Sequence, residues 1–218
     1  MSALAAIEDR IAPHRLAVFG AFHAEAGDEL PPDTGTVFLL GPEEPGFWRH
    51  VTSDPEWLDG QPDPLDRWSA RVIGAIARSF GGTACFPFGG PPYHPFYRWA
   101  LRTGRAWASP VTLLVHDRAG LFASYRGAIL LPQRIDLPPP PAAAPCADCL
   151  GQPCRGACPA SALSAAGYDV PACHGFLDTE AGGECLSLGC AVRRACPVSQ
   201  AYGRLPEQSA YHMRLFHT

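Results

Sequence analysis

Read for the spacing of its apolar positions, the chain opens on a short helix. Residues 2–13 have Ser2 placed to cap the first turn and Pro13 to stop the last. Two continuous apolar runs follow, LAVFGAF at 16–22 and TVFLLG at 36–41. Both have strand length and no polar face, which predicts strands buried on both sides. The stretch FWRHVTSDPEWLDGQPDP, at 47–64, is aromatic, acidic and proline-rich, and it predicts a long irregular loop. Phe47, Trp48 and Trp57 within it either cover a flat ligand or pack on the core. The clearest helix covers 65–80, where Leu65, Trp68, Val72, Ile73, Ile76 and Phe80 recur at helical spacing and Gly81 ends the run.

Further along, TACFPF at 83–88 predicts a third strand, and residues 95–103 predict a helix with Gly104 after it. Residues 112–131 read as a hairpin: TLLVH, a DRAG turn, then LFASYRGAILL. DLPPPPAAAP at 136–145 predicts an extended, proline-rich linker. Beyond it, PASALS after Cys158 predicts a short helix, a second helix surrounds Cys173, and a third starts at Pro206. His116, His212 and His217 are expected at the surface. The pattern gives an α+β protein, with a compact domain over 1–135, the linker, and a second domain over 146–218.

Composition narrows the partners. Of 218 residues, 47% are hydrophobic, enough for a core, and 17% are charged with a formal net charge of −4. All 17 basic residues are arginine, and they form no basic run, so no nucleic-acid contact is expected. No apolar stretch approaches the ~18 residues of a membrane span. The start, MSALAAIEDRIAPHR, has acidic residues where a secretory signal has an apolar run, and a cytoplasmic protein is expected.

The cysteines change the picture. Eight of nine fall between 146 and 196: Cys146, Cys149, Cys154, Cys158, Cys173, Cys185, Cys190 and Cys196. Cys158 and Cys196 are each followed by proline. A cysteine run closing in Cys-Pro, answered by a second Cys-Pro, is the pattern of two-cluster iron–sulfur proteins, in which one cysteine of each run ligates the other cluster. By that rule Cys146, Cys149, Cys154 and Cys196 hold one 4Fe–4S cluster, and Cys158, Cys173, Cys185 and Cys190 hold the second. Structural zinc also uses sets of four thiolates, but the chain has one CxxC pair, Cys146 and Cys149. Disulfides need an oxidising compartment, and inert buried thiols rarely come eight together. The lone Cys85 reads as a small buried hydrophobe.

Several of these stretches together resemble the epoxyqueuosine reductases and the related corrinoid reductive dehalogenases. The stretches are SPVTLLVHDRAGLFASYRGAILLPQRIDLPPP, CADCLGQPCRGACPASAL, YDVPACHGFLDTE and LGCAVRRACPVSQ, within roughly 65–200. The resemblance implies a small nitroreductase-like, cobalamin-binding domain followed by a two-cluster ferredoxin-like domain. It implies two 4Fe–4S clusters, with cobalamin as a candidate further cofactor. It also implies an electron-donor protein of ferredoxin or flavodoxin type and a small-molecule substrate. Tyr93, His94, Tyr97 and Trp99 fall where that family builds its active site, which makes Tyr93 and His94 the candidate proton donors. The chain departs from the family in its wider cysteine spacing and shorter length. Gly89 and Gly90 stand where the family's catalytic aspartate would fall, and glycine supplies no acid. Function is therefore expected among three readings: a reductase-type protein fed by its clusters, an electron carrier without its own substrate, or a protein that binds and reduces cobalamin.

Overall fold

The computed structural model describes residues 2–141 and 143–217. The chain is mixed α+β and divides into two compact units, one built from residues 1–105 and 124–140, the other from 106–123 and 141–218.

The first unit begins with α1 (Ala3–Ile11), whose first turn is closed by the Ser2 hydroxyl accepting the Ala5 N–H at 3.2 Å. β1 (Leu16–His23) and β2 (Thr36–Pro42) pair antiparallel, and all seven residues of β2 are buried. The 47–64 stretch is not an irregular loop. It forms α2 (Phe47–Val51) and α3 (Pro55–Leu58), and α4 (Pro64–Ser79) follows. Phe47 is fully buried against Trp68 in an edge-to-face contact at 5.5 Å, and Trp57 meets Trp48 the same way at 4.9 Å. These aromatics pack into the core, which is what their area favours. Of the predicted apolar face of α4, Leu65, Trp68, Val72, Ile73 and Ile76 are buried, while Phe80 caps the helix and is half-buried.

β3 (Thr83–Cys85) and α5 (Phe96–Arg102) complete this stretch. The loop at 24–35 is ordered against α5. Trp99 donates its indole N–H to the Asp28 carbonyl at 2.8 Å, and Arg102 pairs with Glu25 at 2.7 Å. The chain then enters the second unit as β4 (Ala106–Ala108) and β5 (Leu114–His116), an antiparallel pair, and returns to the first as β6 (Gly127–Leu131). The predicted hairpin closes only at its turn, where His116 and Gly120 exchange backbone hydrogen bonds at 3.0 and 2.9 Å, and its two strands do not pair. β5 pairs with β4, while β6 inserts between β2 and β3, giving the sheet order β1-β2-β6-β3. All five residues of β6 are buried. A run apolar on both faces is most stable in the middle of a covered sheet, and a two-stranded hairpin leaves it half exposed.

The second unit continues with a short ribbon of β7 (Leu163–Ser164) and β8 (Gly167–Tyr168), where a helix was expected after Cys158. Ser161, in the left-handed region at φ 51°, breaks the helical path there. Five helices follow: α6 (Val170–Leu177), α7 (Gly183–Leu188), α8 (Ala191–Ala195), α9 (Pro197–Tyr202) and α10 (Pro206–Phe216). α10 starts at Pro206 as expected, packs on α7 and buries Gln208, Ser209 and Ala210. Its His217 is 21% exposed and bonded to Asp178 at 3.1 Å rather than free in solvent. His116 is fully buried, its Nδ1 accepting the Arg118 N–H at 3.1 Å.

Residues 106–123 belong to this unit because Gly120 lets them approach α9. Leu121 N–H donates to the Ser199 hydroxyl at 2.8 Å, and Gly120 has φ 55°. A Cβ at 120 would lie 2.4 Å from the Ser199 backbone nitrogen. Gly120→Ala is therefore expected to destabilise the second unit by about 1–3 kcal/mol, read as a lowered thermal midpoint. An unchanged melt would remove this contact from the account.

Candidate cysteine sites

The core of the second unit is Val111, Val115, Leu121, Leu163 and Val192, with Cys154 and Cys196 among them. Around it the cysteines fall into two groups. Cys146, Cys149, Cys154 and Cys196 line one cavity of about 410 Å3, together with Pro110, Val115, Leu121 and Pro197. Cys158, Cys173, Cys185 and Cys190 line another, of about 20 Å3, with Tyr168, Phe176, Leu177 and Met213. The second cavity has room for about one water, so any larger occupant must move these side chains apart. No cysteine of one group lines the other cavity.

Local chemistry explains how the chain brings each thiol in. Cys154 sits on a single 3-10 turn, Pro153–Gly156, entered through Gln152 in the left-handed region at φ 38°. Cys196 lies between α8 and α9 in an extended conformation, and Pro197 starts α9 at the position where a missing N–H is free of cost. Gln200 N–H returns to the Cys196 carbonyl at 3.0 Å. This capping turn carries Cys196 back to the first group, 38 residues after Cys158 left it. Cys158 precedes Pro159, and its sulfur accepts the Ala162 N–H at 3.2 Å. Cys173 lies one turn into α6, whose first turn is capped by Asp169 accepting the Ala172 N–H at 2.9 Å. Gly189 (φ 91°) turns the chain between Cys185 on α7 and Cys190 at the start of α8, under Ser209.

Burial, and then the neighbouring thiols, push Cys146 and Cys154 above the ordinary thiol range. Burial also raises Cys173, opposed by a hydrogen bond from the Tyr168 hydroxyl. The Tyr168 phenol is held well above its usual range by burial and by that bond. Arg193, part-buried on α8, is pulled down by burial and pushed back up by Cys190 and Tyr168. A ligand that needs thiolates must therefore displace protons from these sites.

The donor chemistry can be tested against the two metals weighed from sequence. Each group is all cysteine, with no histidine lining either cavity. Zinc needs four donors about 2.3 Å from one point. Among the described residues no three His, Cys, Asp or Glu side chains are grouped so as to hold one ion. A four-iron cubane is ligated at its corners, by thiolates set around a body. Each quartet is four thiols, a composition that either metal accepts.

The remaining candidates lie elsewhere. Tyr93 is 64% exposed, and His94 is exposed with its ring stacked on Trp99 at 5.5 Å. Tyr97 is exposed and Trp99 fully buried. Cys85 is buried on β3, in the first unit, with its thiol raised by burial. Cys85→Ser is expected to leave the iron content of the purified protein unchanged; a loss of iron would mean that the set of eight is wrong. Sequence reading passed over Tyr168. A tyrosine five residues before a cysteine carries no pattern, and only the fold brings it to the cavity of the second quartet. No family model matches the chain, and neither the curated proteins nor the solved structures contain a match.

Proposed function

We propose that the protein is an iron–sulfur electron-transfer protein, with one 4Fe–4S cluster held by Cys146, Cys149, Cys154 and Cys196 and another by Cys158, Cys173, Cys185 and Cys190. The observation that carries this reading is the division of eight cysteines into two quartets at two cavities, with Cys158 and Cys196 exchanged between the runs. A zinc ribbon has no need for such an exchange, whereas two-cluster folds have it as their signature. A bound cluster supplies one-electron transfer. The chain's own residues do the rest. Val111, Val115, Leu121, Leu163 and Val192 keep water from the space around the sulfurs. Pro159 and Pro197 turn the chain away from each Cys-Pro, and the Ala162 N–H stabilises charge on the Cys158 sulfur.

The motif resemblance to epoxyqueuosine reductases supports a finer reading, in which the electrons serve a reductase-type site holding a corrinoid on the nitroreductase-like first unit. A ferredoxin- or flavodoxin-type protein is then the donor, in the cytoplasm. The glycines at 89 and 90 and the exposure of Tyr93 and His94 favour a second reading, an electron carrier without its own substrate.

Anaerobic purification with iron, sulfide and cobalt analysis tests both. About eight irons and eight sulfides per chain, with visible absorption bleached by dithionite, are expected. Zinc in place of iron would end the proposal. Co-elution of added cobalamin at one per chain selects the reductase or cofactor-handling reading, and its absence selects the carrier.

A further inference from the structure

The two quartets differ in room. The cavity at the second is about 20 Å3, against about 410 Å3 at the first. At the second, a wall must give way before anything larger than a water enters. Most of its walls carry the ligands themselves: Cys173 on α6, Cys185 on α7 and Cys190 at the start of α8. Two elements line this cavity without contributing a thiol, the β7–β8 ribbon and α10. The ribbon is fixed by Leu163, buried in the core of the unit. α10 contributes Met213, an unbranched side chain that repacks readily.

α10 is held unevenly along its length. Its first half is anchored. Gln208, Ser209 and Ala210 are buried, and just before the helix the Arg204 guanidinium lies over the Phe122 ring at 5.3 Å. Its second half is half-buried or exposed. There Phe216 stacks on Tyr168 at 5.9 Å with the planes 17° apart, and it meets the His174 ring edge-on at 4.6 Å. His217 is bonded to Asp178 at 3.1 Å, and the Asp178 side chain is 71% exposed. An exposed pair of this kind holds weakly. His174 Nε2 and His217 Nδ1 are buried without a hydrogen-bond partner among the described residues. Both gain water when this end of α10 lifts, which lowers the cost of opening.

Resting on the cluster reading above, we propose that residues 211–217 form a flap over the second quartet, latched by Phe216 and His217, which lifts to let the second cluster in and out. Met213 is the side chain that the flap withdraws from the cavity. The anchored first half of α10 stays against α7, so the ligand-bearing helices keep their places. The first quartet already has its room and exchanges its cluster without such a step. The second cluster is therefore the slower of the two to leave.

The test is anaerobic release of iron from the cluster-loaded protein into excess chelator, followed by the loss of visible absorption. Wild-type protein is expected to lose iron in two phases of about four irons each. Cys158→Ser and Cys196→Ser, each keeping one quartet, should assign the fast phase to the first quartet and the slow phase to the second. Phe216→Ala is expected to speed the slow phase about tenfold. His217→Ala should speed it about threefold. The fast phase should not move in either variant. Phe216→Tyr keeps the ring stack and should keep the wild-type rate. Hydrogen exchange should show residues 211–217 opening faster in Phe216→Ala while 206–210 hold. If Phe216→Ala does not retain the second cluster, His217→Ala and Phe216→Tyr decide the matter. A slow phase unmoved by the latch variants, both phases speeded alike, or a second quartet that empties first would overturn the flap while leaving the clusters in place. A wild-type protein without iron would instead overturn the cluster reading, before any release is measured.

Discussion

Serine at position 196 is expected to remove about half of the iron, and to remove it from the first quartet. Cys196 is 50 residues from Cys146 in sequence, and by proximity along the chain it belongs with Cys185 and Cys190. In the fold it lines the cavity of Cys146, Cys149 and Cys154. Cys158→Ser makes the reciprocal case, since Cys158 lies four positions after Cys154 yet lines the other cavity. Each variant should retain roughly four of about eight irons, with the spectrum of one cluster gone and that of the other intact. Combining the two should remove nearly all of it. If Cys196→Ser and Cys185→Ser extinguish the same cluster while Cys158→Ser spares it, ligation follows chain order and the exchange is wrong. Iron and sulfide analysis with spectra of the reduced proteins separates these outcomes.

Trp68→Ala is expected to cost the first unit about 3–5 kcal/mol, the range for emptying a large aromatic site in a core. Trp68 is fully buried on α4. Its ring meets Phe47 edge-to-face at 5.5 Å and His50 at 6.1 Å, and its indole N–H donates to Asp54 at 2.7 Å. Alanine there opens a cavity between α4 and α2 and deletes a charge-assisted hydrogen bond. Asp54 keeps its ion pair with Arg71 at 2.9 Å, so most of the loss is packing. Trp68→Phe should cost less, because it keeps much of the ring volume and loses the N–H. Denaturant unfolding of the first unit's transition measures both. Equal losses for alanine and phenylalanine would mean that the hydrogen bond outweighs the cavity. The iron content should not respond to either variant, because Trp68 belongs to the first unit and the eight cysteines to the second.

Periodicity placed the elements that bury a continuous face. The face of α4, the runs of β1 and β2, the Ser2 cap and the start of α10 at Pro206 are legible because each is a local statement: spacing, a cap, a proline at the first turn. The 47–64 stretch misled because proline and acidic residues mark loops on average, whereas here Pro55 occupies a first helical turn and the aromatics supply the burial. Residues 112–131 misled for a different reason. Two apolar runs either side of a turn signal have the grammar of a hairpin, and nothing in them states that one will join Ala106–Ala108 and the other the middle of a four-stranded sheet.

By itself the sequence determined the chemistry on offer: eight thiols in two runs, each closed by Cys-Pro, in an α+β chain with an apolar content sufficient for a core. Ligand type and spacing are properties of the chain, and so is the halt that proline imposes on it. Only the tertiary structure decided that residues 106–123 wall the cysteine unit, through a glycine at 120 that admits Ser199. It also decided that Tyr168 lines the cavity of the second quartet. Those contacts depend on how helices and ribbon pack, and packing joins residues that no local pattern pairs.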